Sequence, residues 1–251
     1  MSSSNNCLEN VILRFDFNDN IIIPEDVVST VGKELSNDFS KYEQSERNDW
    51  KVDIQSGQLV TEHRKIKIYT FKNGLGDSIL LDTNALTFNI LNYSSYSEFI
   101  SHVKRTISLL QVGNEELKRL GLRYINHIKL KEGSPFEWEG YIAPPLIQNI
   151  DFLDDTDRNS LSRNMGQMLF NKYDPDRYLN FIYGMPNSEF PNKIAKREFV
   201  LDYDCYTESN ININEAYAYI TSFHDEIKRM FVKSIGDKLR TKIGEDKLCM
   251  I

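Results

Sequence analysis

Alternating hydrophobic and polar residues predict strands along much of the chain. In NVILRFDF, residues 10–17, hydrophobic side chains share one face and charged side chains the other. From residue 50 to residue 93, further runs of this kind are separated by turn signals such as Ser56–Gly57. Three runs between residues 161 and 208 have the same character. The pattern therefore predicts antiparallel meanders in both halves of the chain.

Hydrophobic residues at helical spacing predict three long helices, at about 25–40, from Ser94 or Ser95 onward, and at about 214–242. Pro24, followed by two acidic residues, is a favourable start for the first of them. Each helix carries one hydrophobic stripe, and such a stripe needs an apolar surface to cover. The expected fold is therefore α+β, with antiparallel β-meanders packed against two or three long amphipathic helices.

The two halves of the chain have a similar order of predicted elements. ALTFNILNYSSYSEF and EFVLDYDCYTESNININEAY both read as strand, polar turn and helix. We expect one compact unit, 1–251. Two similar halves within it, 8–130 and 160–243, are an alternative that stays open, because residue identity between them is too low to establish a duplication. The segment 131–159, with its prolines and the acidic run DFLDDTDRN, is expected to be an irregular linker at the surface.

LGLRYINHIKL, residues 120–130, reads as a strand with one wet face. Alternation places Arg123, His127 and Lys129 on that face, opposite a row of hydrophobic residues. Asn126 lies on the apolar side. A buried amide needs hydrogen-bond partners, so we interpret Asn126 as a structural residue rather than a catalytic one.

Composition narrows the classes of function. The formal net charge is −7, so the chain as a whole lacks the basic footprint of a nucleic-acid-binding protein. It has no apolar run of the roughly 20 residues that span a bilayer, and the start MSSSNNCLEN does not resemble a secretory signal. Cys7, Cys205 and Cys249 are widely spaced and form no CxxC pair. These features favour a cytoplasmic protein without a disulfide framework, a cysteine zinc site or a membrane partner.

Two sets of side chains are candidates for a site. Asp202 and Asp204 point to the same side of a predicted strand, about 7 Å apart, and two carboxylates at this spacing could hold Mg²⁺. A solvent-facing row is the alternative, and it is favoured.

The second set is cationic and could hold an anion or a nucleotide if the mid-chain strand and the last helix lie together, although a solvated helix face is favoured there too. Its members are Arg119, Arg123, His127, Lys129, Arg229, Lys233, Lys238 and Arg240.

Recognised catalytic motifs are absent from the sequence. It has no HExxH, GxSxG, GxGxxG or phosphate-binding loop. No cofactor is therefore predicted, with Mg²⁺ as the exception if Asp202 and Asp204 form an enzyme site, and an enzyme is the less favoured class.

RLGLRYIN in mid-chain and F-x-x-S-I-x-D-K-L-R, residues 231–240, carry a resemblance. The chain resembles a sporadically distributed prokaryotic family of proteins of similar length that has no assigned function. Gly236 stands where the family has threonine. The resemblance implies a cytoplasmic bacterial protein, an accessory of a mobile or defence-linked locus, and it supplies no catalytic residues.

Three functions follow, in order of preference. The first is a non-enzymatic accessory or regulatory protein that binds another protein, alone or as a homodimer. The second is a sensing domain that binds an anionic ligand or nucleotide through Arg123, His127 and the basic last helix. The third is a divalent-metal-dependent enzyme that uses Asp202 and Asp204.

Overall fold

The computed structural model describes residues 7–18, 21–55, 58–110, 115–171 and 177–244, apart from the side chains of 51–55, 58–60 and 62. Within these ranges, ten strands form a single antiparallel sheet, which confirms the predicted α+β class, with strand residues outnumbering helical ones. The strands are β1 Leu8–Phe17, β2 Lys41–Gln55, β3 Gln58–Lys72, β4 Ser78–Leu81, β5 Ala85–Ile90, β6 Glu116–Leu130, β7 Asn164–Asn171, β8 Tyr178–Met185, β9 Arg197–Thr207 and β10 Ile211–Asn212.

Two helices of the described ranges are long, one of 15 residues at Tyr96–Leu110 and one of 19 residues at Ala216–Ser234. No helix in those ranges is long and apolar enough to span a membrane. The helices are α1 Glu25–Leu35, α2 Tyr96–Leu110, α3 Gln148–Asp151, α4 Asp155–Ser160, α5 Ala216–Ser234 and α6 Asp237–Ile243, with a 3₁₀ turn at Pro144–Leu146.

The strand order is β2-β3-β4-β5-β1-β6-β9-β8-β7, and the chain takes a similar path on the two sides of the central β1–β6 pair, with four strands beyond β1 and three beyond β6. After β1, the chain passes through α1 to the edge strand β2 and returns through β3, β4 and β5 to the centre, where α2 follows. After β6, it passes through α3 and α4 to the edge strand β7 and returns through β8 and β9, where α5 follows. This topological repeat begins at β1 and β6, so it groups β6 with the second half, whereas the predicted sub-halves placed it in the first. The duplication itself stays a prediction.

The long helices pack on one side of the sheet, here called the inner face; the opposite side is the outer face. Phe99 of α2 makes an edge contact with the ring of Phe88, with centroids 6.5 Å apart. On α5, His224 bonds to Tyr124 of β6. Both halves contribute to one cluster of buried hydrophobic residues beneath these helices. The two halves therefore share a core, and the hydrophobic stripes predicted for the helices face it.

The predicted last helix, 214–242, is in fact two helices. At Ile235 the backbone turns to an extended conformation and forms a bridge with Ile142, so α5 ends at Ser234. Gly236 then lies against the backbone of Gly140, where an added Cβ would be 2.3 Å from the carbonyl oxygen. The hydrophobic stripe continues through the break, because both Ile235 and Leu239 are buried, and this is why periodicity alone predicts one helix.

The segment 131–159 is irregular, as expected, but its middle is not at the surface. Trp138, Ile142 and Ile150 are buried, and the Trp138 ring packs on Phe199 of β9 with ring centroids 5.1 Å apart. The acidic end lies at the surface, where Asp154 caps α4, and residues 131–134 at the start of the segment are exposed as well. This segment fastens the end of α5 to the sheet through the bridge between Ile142 and Ile235.

Two predicted boundaries were wrong. The first helix ends at Leu35 rather than near residue 40, although Phe39 is buried as its stripe requires. Strand β2 begins at Lys41, well before residue 50, and KYEQSERNDW has no hydrophobic alternation that would reveal it. The predicted turn at Ser56–Gly57 lies outside the described residues.

We predict that Gly236→Ala destabilises the fold by about 1–3 kcal/mol, because the added methyl group would overlap the Gly140 carbonyl. Gly236→Thr should cost at least as much. Urea denaturation of the purified variants measures this difference as a shift in the free energy of unfolding.

Gly74 is the matched control, because an added Cβ there meets nothing within 4 Å. We expect Gly74→Ala to stay within about 0.5 kcal/mol of the wild type. Equal stability of the Gly236 and Gly74 variants would contradict the close packing of the two glycine segments.

Candidate functional site

The mid-chain strand is β6, and it lies at the centre of the sheet next to β1 and β9. Its hydrophobic residues at alternate positions, such as Leu122 and Tyr124, are fully buried on the inner face. The candidate cations of this strand alternate with them and lie on the outer face, as predicted: Arg119, Arg123, His127 and Lys129.

Acidic side chains of β9 hold the two arginines of this row. The Arg123 guanidinium donates two hydrogen bonds to Asp202, with Nε–Oδ1 and Nη2–Oδ2 distances of 2.8 and 2.5 Å. Arg119 Nη2 lies 3.3 Å from Oδ2 of Asp204. The carboxylates of the candidate metal site and the guanidinium groups of the candidate anion site therefore belong to one cluster, and their charges neutralise each other.

Strand β1 supplies acids from the other side. Arg119 Nη1 lies 3.8 Å from Oδ2 of Asp16, and Arg14 donates to the same carboxylate. A bulge between Leu8 and Asn10 brings Glu9 to the outer face. We call the resulting row of charges across β1, β6 and β9 the ion ladder. Its members are Glu9, Arg14, Asp16, Arg119, Arg123, His127, Lys129, Asp202 and Asp204.

Glu9 completes the ion ladder at the end opposite Asp16. Its carboxylate oxygens lie 3.3 Å from His127 Nδ1 and 3.1 Å from Lys129 Nζ. Partial burial opposes ionisation of Glu9, but the hydrogen bond and charge of Lys129, with those of His127, lower its pKa.

Burial and ion pairing shift the pKa values of Asp204 and Arg123 in the ion ladder. Burial raises the pKa of Asp204, and the charges of Arg119 and Arg123 reduce this increase. The hydrogen bond to Asp202 raises the pKa of Arg123 despite partial burial. A Mg²⁺ ion at Asp202 would have to displace the Arg123 guanidinium. In the part of the chain that the structure describes, no group of three or more His, Cys, Asp or Glu residues is arranged to hold a metal ion.

The candidate cations on the last helices do not join this row. Arg229 and Lys233 are on α5, on the other side of the sheet, and Arg229 Nη2 lies 2.7 Å from Glu226 Oε1. Lys238 donates to the Glu139 carbonyl, and Arg240 donates to the Val232 carbonyl. Within the described ranges, the structure brings neither pair into contact with the ion ladder, so the predicted joint anion surface is not formed.

Asn126 joins two strands, as its structural interpretation requires. It is fully buried on the inner face, and its Nδ2 donates to the Leu201 carbonyl of β9 at 3.3 Å. Its Oδ1 accepts no hydrogen bond from any residue that the structure describes. This residue therefore ties β6 to β9 from within the core.

A cleft of about 1090 Å³ opens beside the segment 131–159. Arg197 stacks on the rings of Trp138 and Tyr141 there and donates to a carbonyl at Glu132. Four basic and four acidic residues line the cleft, so its charge favours neither anions nor cations: Arg158, Lys193, Arg197, Lys238, Glu137, Glu139, Asp151 and Asp155. The cations of the ion ladder are not part of this lining.

A cluster of Tyr93, Tyr96, Tyr124, Thr221 and His224 joins the two halves; Tyr93, Tyr124 and His224 are buried, Tyr96 is half-buried and Thr221 is exposed. The Tyr124 hydroxyl lies 3.0 Å from both the Tyr93 hydroxyl and His224 Nδ1. The Tyr96 ring stacks on His224 with centroids 4.0 Å apart, and its hydroxyl lies 2.9 Å from Thr221 Oγ1. His224 is 7% exposed, so it lies in the interior and not at the surface of its helix.

Burial keeps this cluster uncharged near neutral pH. It lowers the pKa of His224 to about 4 and raises the pKa of Tyr93 to about 12. Burial also raises the pKa of Tyr124 well above its usual value. A neutral chain of hydrogen bonds between α2, β6 and α5 indicates a structural role.

Beyond α1, β2 and β3 continue as a two-stranded ribbon, Asn48–Gln55 paired with Gln58–Lys65, which we call the arm. All of its described side chains are exposed. Trp50 is 64% exposed and stacks on its cross-strand partner His63, with ring centroids 4.3 Å apart. The sequence predicts strands here, but it gives no sign that they project beyond the helices.

No protein-family model matches the chain, and no curated protein matches it. The resemblance carried by RLGLRYIN and the last helices therefore stays a prediction.

We predict that the Arg123–Asp202 pair contributes a coupling free energy of about 1–2 kcal/mol, because Asp202 is buried and Arg123 only partly exposed. A double-mutant cycle with Arg123→Ala and Asp202→Ala, followed by urea denaturation, measures this coupling. The exposed pair Lys72–Glu43 is the control, with an expected coupling of about 0–0.5 kcal/mol. Equal couplings in the two cycles would argue against the ion ladder as a structural unit.

We predict that His224 makes the fold less stable in acid. Its pKa in the folded chain, about 4, lies below the usual 6.5, so the unfolded chain binds more protons between these values. Stability is therefore complete above the usual pKa and falls as the pH drops toward the folded value. In His224→Gln, the loss of unfolding free energy between about pH 7 and about pH 4.5 should be smaller than in the wild type, by about 1 kcal/mol or more.

His63, an exposed histidine, provides the control for this measurement. His63→Gln should keep the pH dependence of the wild type. If His224→Gln and His63→Gln have the same pH profile, His224 is not the buried neutral group described above.

Proposed function

We propose that this chain is a non-enzymatic bacterial accessory protein that acts by binding another protein through the arm. The observation that carries the proposal is the arm itself, a two-stranded ribbon that extends past the helices and has exposed side chains on both strands. Isolated two-stranded ribbons are marginally stable in water. A partner that packs against the arm would supply the contacts that the rest of the chain does not.

The backbone of the arm supports this proposal. Strand β2 is an edge of the sheet, and β3 pairs with β4 only over Tyr69–Lys72. Each strand of the arm therefore has one edge that pairs with no other strand in the described ranges. A protein partner could use the ring of Trp50, the exposed backbone, or both.

The side chains indicate the chemistry of the partner. The Trp50 and His63 rings pack together as an apolar platform, and exposed charges of both signs lie beside it on the same face of the ribbon, among them Glu46 and Lys65. We infer that the partner is a folded protein with a pocket for an indole ring and a rim of polar groups. Exposed tryptophan at such a position is a common energetic centre of interfaces.

The other two functions stay secondary proposals. An anion sensor built on Arg123 and His127 would have to release them from Asp202 and Glu9. A metal-dependent enzyme built on Asp202 and Asp204 would have to break their pairs with Arg123 and Arg119. A cytoplasmic location, favoured by the cysteine pattern and by the family resemblance, is part of the leading proposal. A link to a mobile or defence locus is also part of it, on the basis of the resemblance alone.

A photo-crosslinking amino acid at position 50 tests the proposal in the cells that normally produce the chain. The control carries the same group at Phe152, which is 87% exposed and distant from the arm along the chain. We expect position 50 to capture one defined protein that position 152 does not. Trp50→Ala should then weaken binding of that purified protein by at least about tenfold.

Two outcomes would count against the proposal. Identical crosslinked proteins at positions 50 and 152 would show that the arm has no specific partner. Unchanged affinity in Trp50→Ala, with the captured protein, would show that the indole ring is not at the interface.

A further inference from the structure

We infer that the opposite edge of the sheet, β7, pairs antiparallel with β7 of a second copy of this chain, so that the two sheets become continuous. The inference is independent of the arm, which lies at the other end of the sheet. It rests on the composition of β7, on its exposure and on the pairs that a two-fold axis would create.

The two edges of the sheet differ in charge. Strand β7, NMGQMLFN, contains no charged residue and no proline, whereas the fifteen residues of β2 include seven charged ones. Charged residues on an edge strand hinder edge-to-edge pairing, and a charge-free edge with hydrophobic side chains favours it. Within the described ranges, β7 pairs with β8 on one side and with no strand on the other.

Hydrophobic side chains of β7 are exposed on both faces of the sheet. Leu169 is 63% exposed, and Met165 and Met168 are 38% and 36% exposed. Met165 and Leu169 lie on the outer face, because they pair with Gly184 and Asn180 of β8, and Met168 lies on the inner face. An isolated sheet edge would leave all three partly in water.

A two-fold axis at Gln167 makes this strand complementary to itself. Residues of the two copies that face each other must lie on the same side of the sheet. Gln167 then meets Gln167 of the second copy, so the two amides can bond to each other. Met165 meets Leu169 of the second copy twice, which joins the exposed apolar groups of the outer face.

The inner face accepts the same register. It places Met168 of each copy opposite Gly166 of the other, and Gly166 has no side chain to obstruct it. The ring of Tyr183 lies over Gly166, where an added Cβ would be 2.5 Å from the ring. The methionine would therefore reach the edge of an aromatic ring, a favourable contact for its sulfur.

The size of this interface limits its affinity. Eight residues of strand pairing bury an area near the lower end of specific interfaces, so we expect a dissociation constant on the order of micromolar. The dimer should therefore form and dissociate over the range from about 1 to about 100 µM.

Sedimentation velocity over this concentration range tests the inference on the full chain. We expect the wild type to shift from monomer to dimer, and Leu169→Lys to remain a monomer because a charge on the edge opposes pairing. The control, Leu75→Lys, replaces an equally exposed leucine outside the strands, 69% exposed, and should dimerise as the wild type does. Circular dichroism checks that both variants are folded.

Cysteine crosslinking tests the register. In the proposed dimer, Gln167→Cys places two thiols opposite each other at a distance suited to a disulfide. Leu169→Cys places them about 13 Å apart, which is too far. We expect mild oxidation to link the first variant and not the second, beyond any background in the wild type.

Three results would overturn the inference. The wild type could remain a monomer throughout the concentration range. Leu169→Lys could dimerise as the wild type does, which would place the interface elsewhere. Efficient crosslinking of Leu169→Cys without that of Gln167→Cys would contradict the two-fold axis at Gln167. None of these results bears on partner binding by the arm.

Discussion

The antiparallel pairing of β1 with β6 is the interaction on which the rest of the fold depends. These two strands begin the two topological repeats, and each half of the sheet extends outward from them. On their inner face, residues such as Leu13 and Leu122 face each other in the core. On their outer face, the same register brings Asp16 beside Arg119, so that one pairing aligns both the core and the ion ladder. A slip of one residue would reverse both faces at once.

The helices cover the sheet unevenly, and this leaves exposed the two ends on which the proposals are based. The long helices meet over the centre of the inner face, where Tyr96 of α2 stacks on His224 of α5 and joins the halves. The ends of the sheet extend past them. At one end the arm is charged and carries Trp50, and at the other β7 is uncharged and apolar. These differences are the basis of the two proposals, a protein partner at the arm and a second copy at β7.

Sequence patterns predicted what depends on neighbours along the chain and missed what depends on neighbours in space. Alternation placed Arg123 on the wet face of its strand correctly. It did not show that Asp202, 79 residues away, would bind Arg123, because the sequence of a strand does not reveal which other strand pairs with it. The break before Gly236 was hidden by a hydrophobic stripe that continues across it. The burial of His224 depends on Tyr96, from the other half of the chain.

The central claim is that the paired strands at the centre of the sheet are stable, whereas the arm needs a partner to become stable. Hydrogen–deuterium exchange of the isolated chain tests this claim most directly. Amide protection follows local stability. We expect the slowest exchange in β1 and β6 and much faster exchange in the arm, Asn48–Gln55 and Gln58–Lys65, although the pairing of the arm has no break in register. Arm amides as protected as those of β1 and β6 would show that the arm is stable alone, and would contradict the account.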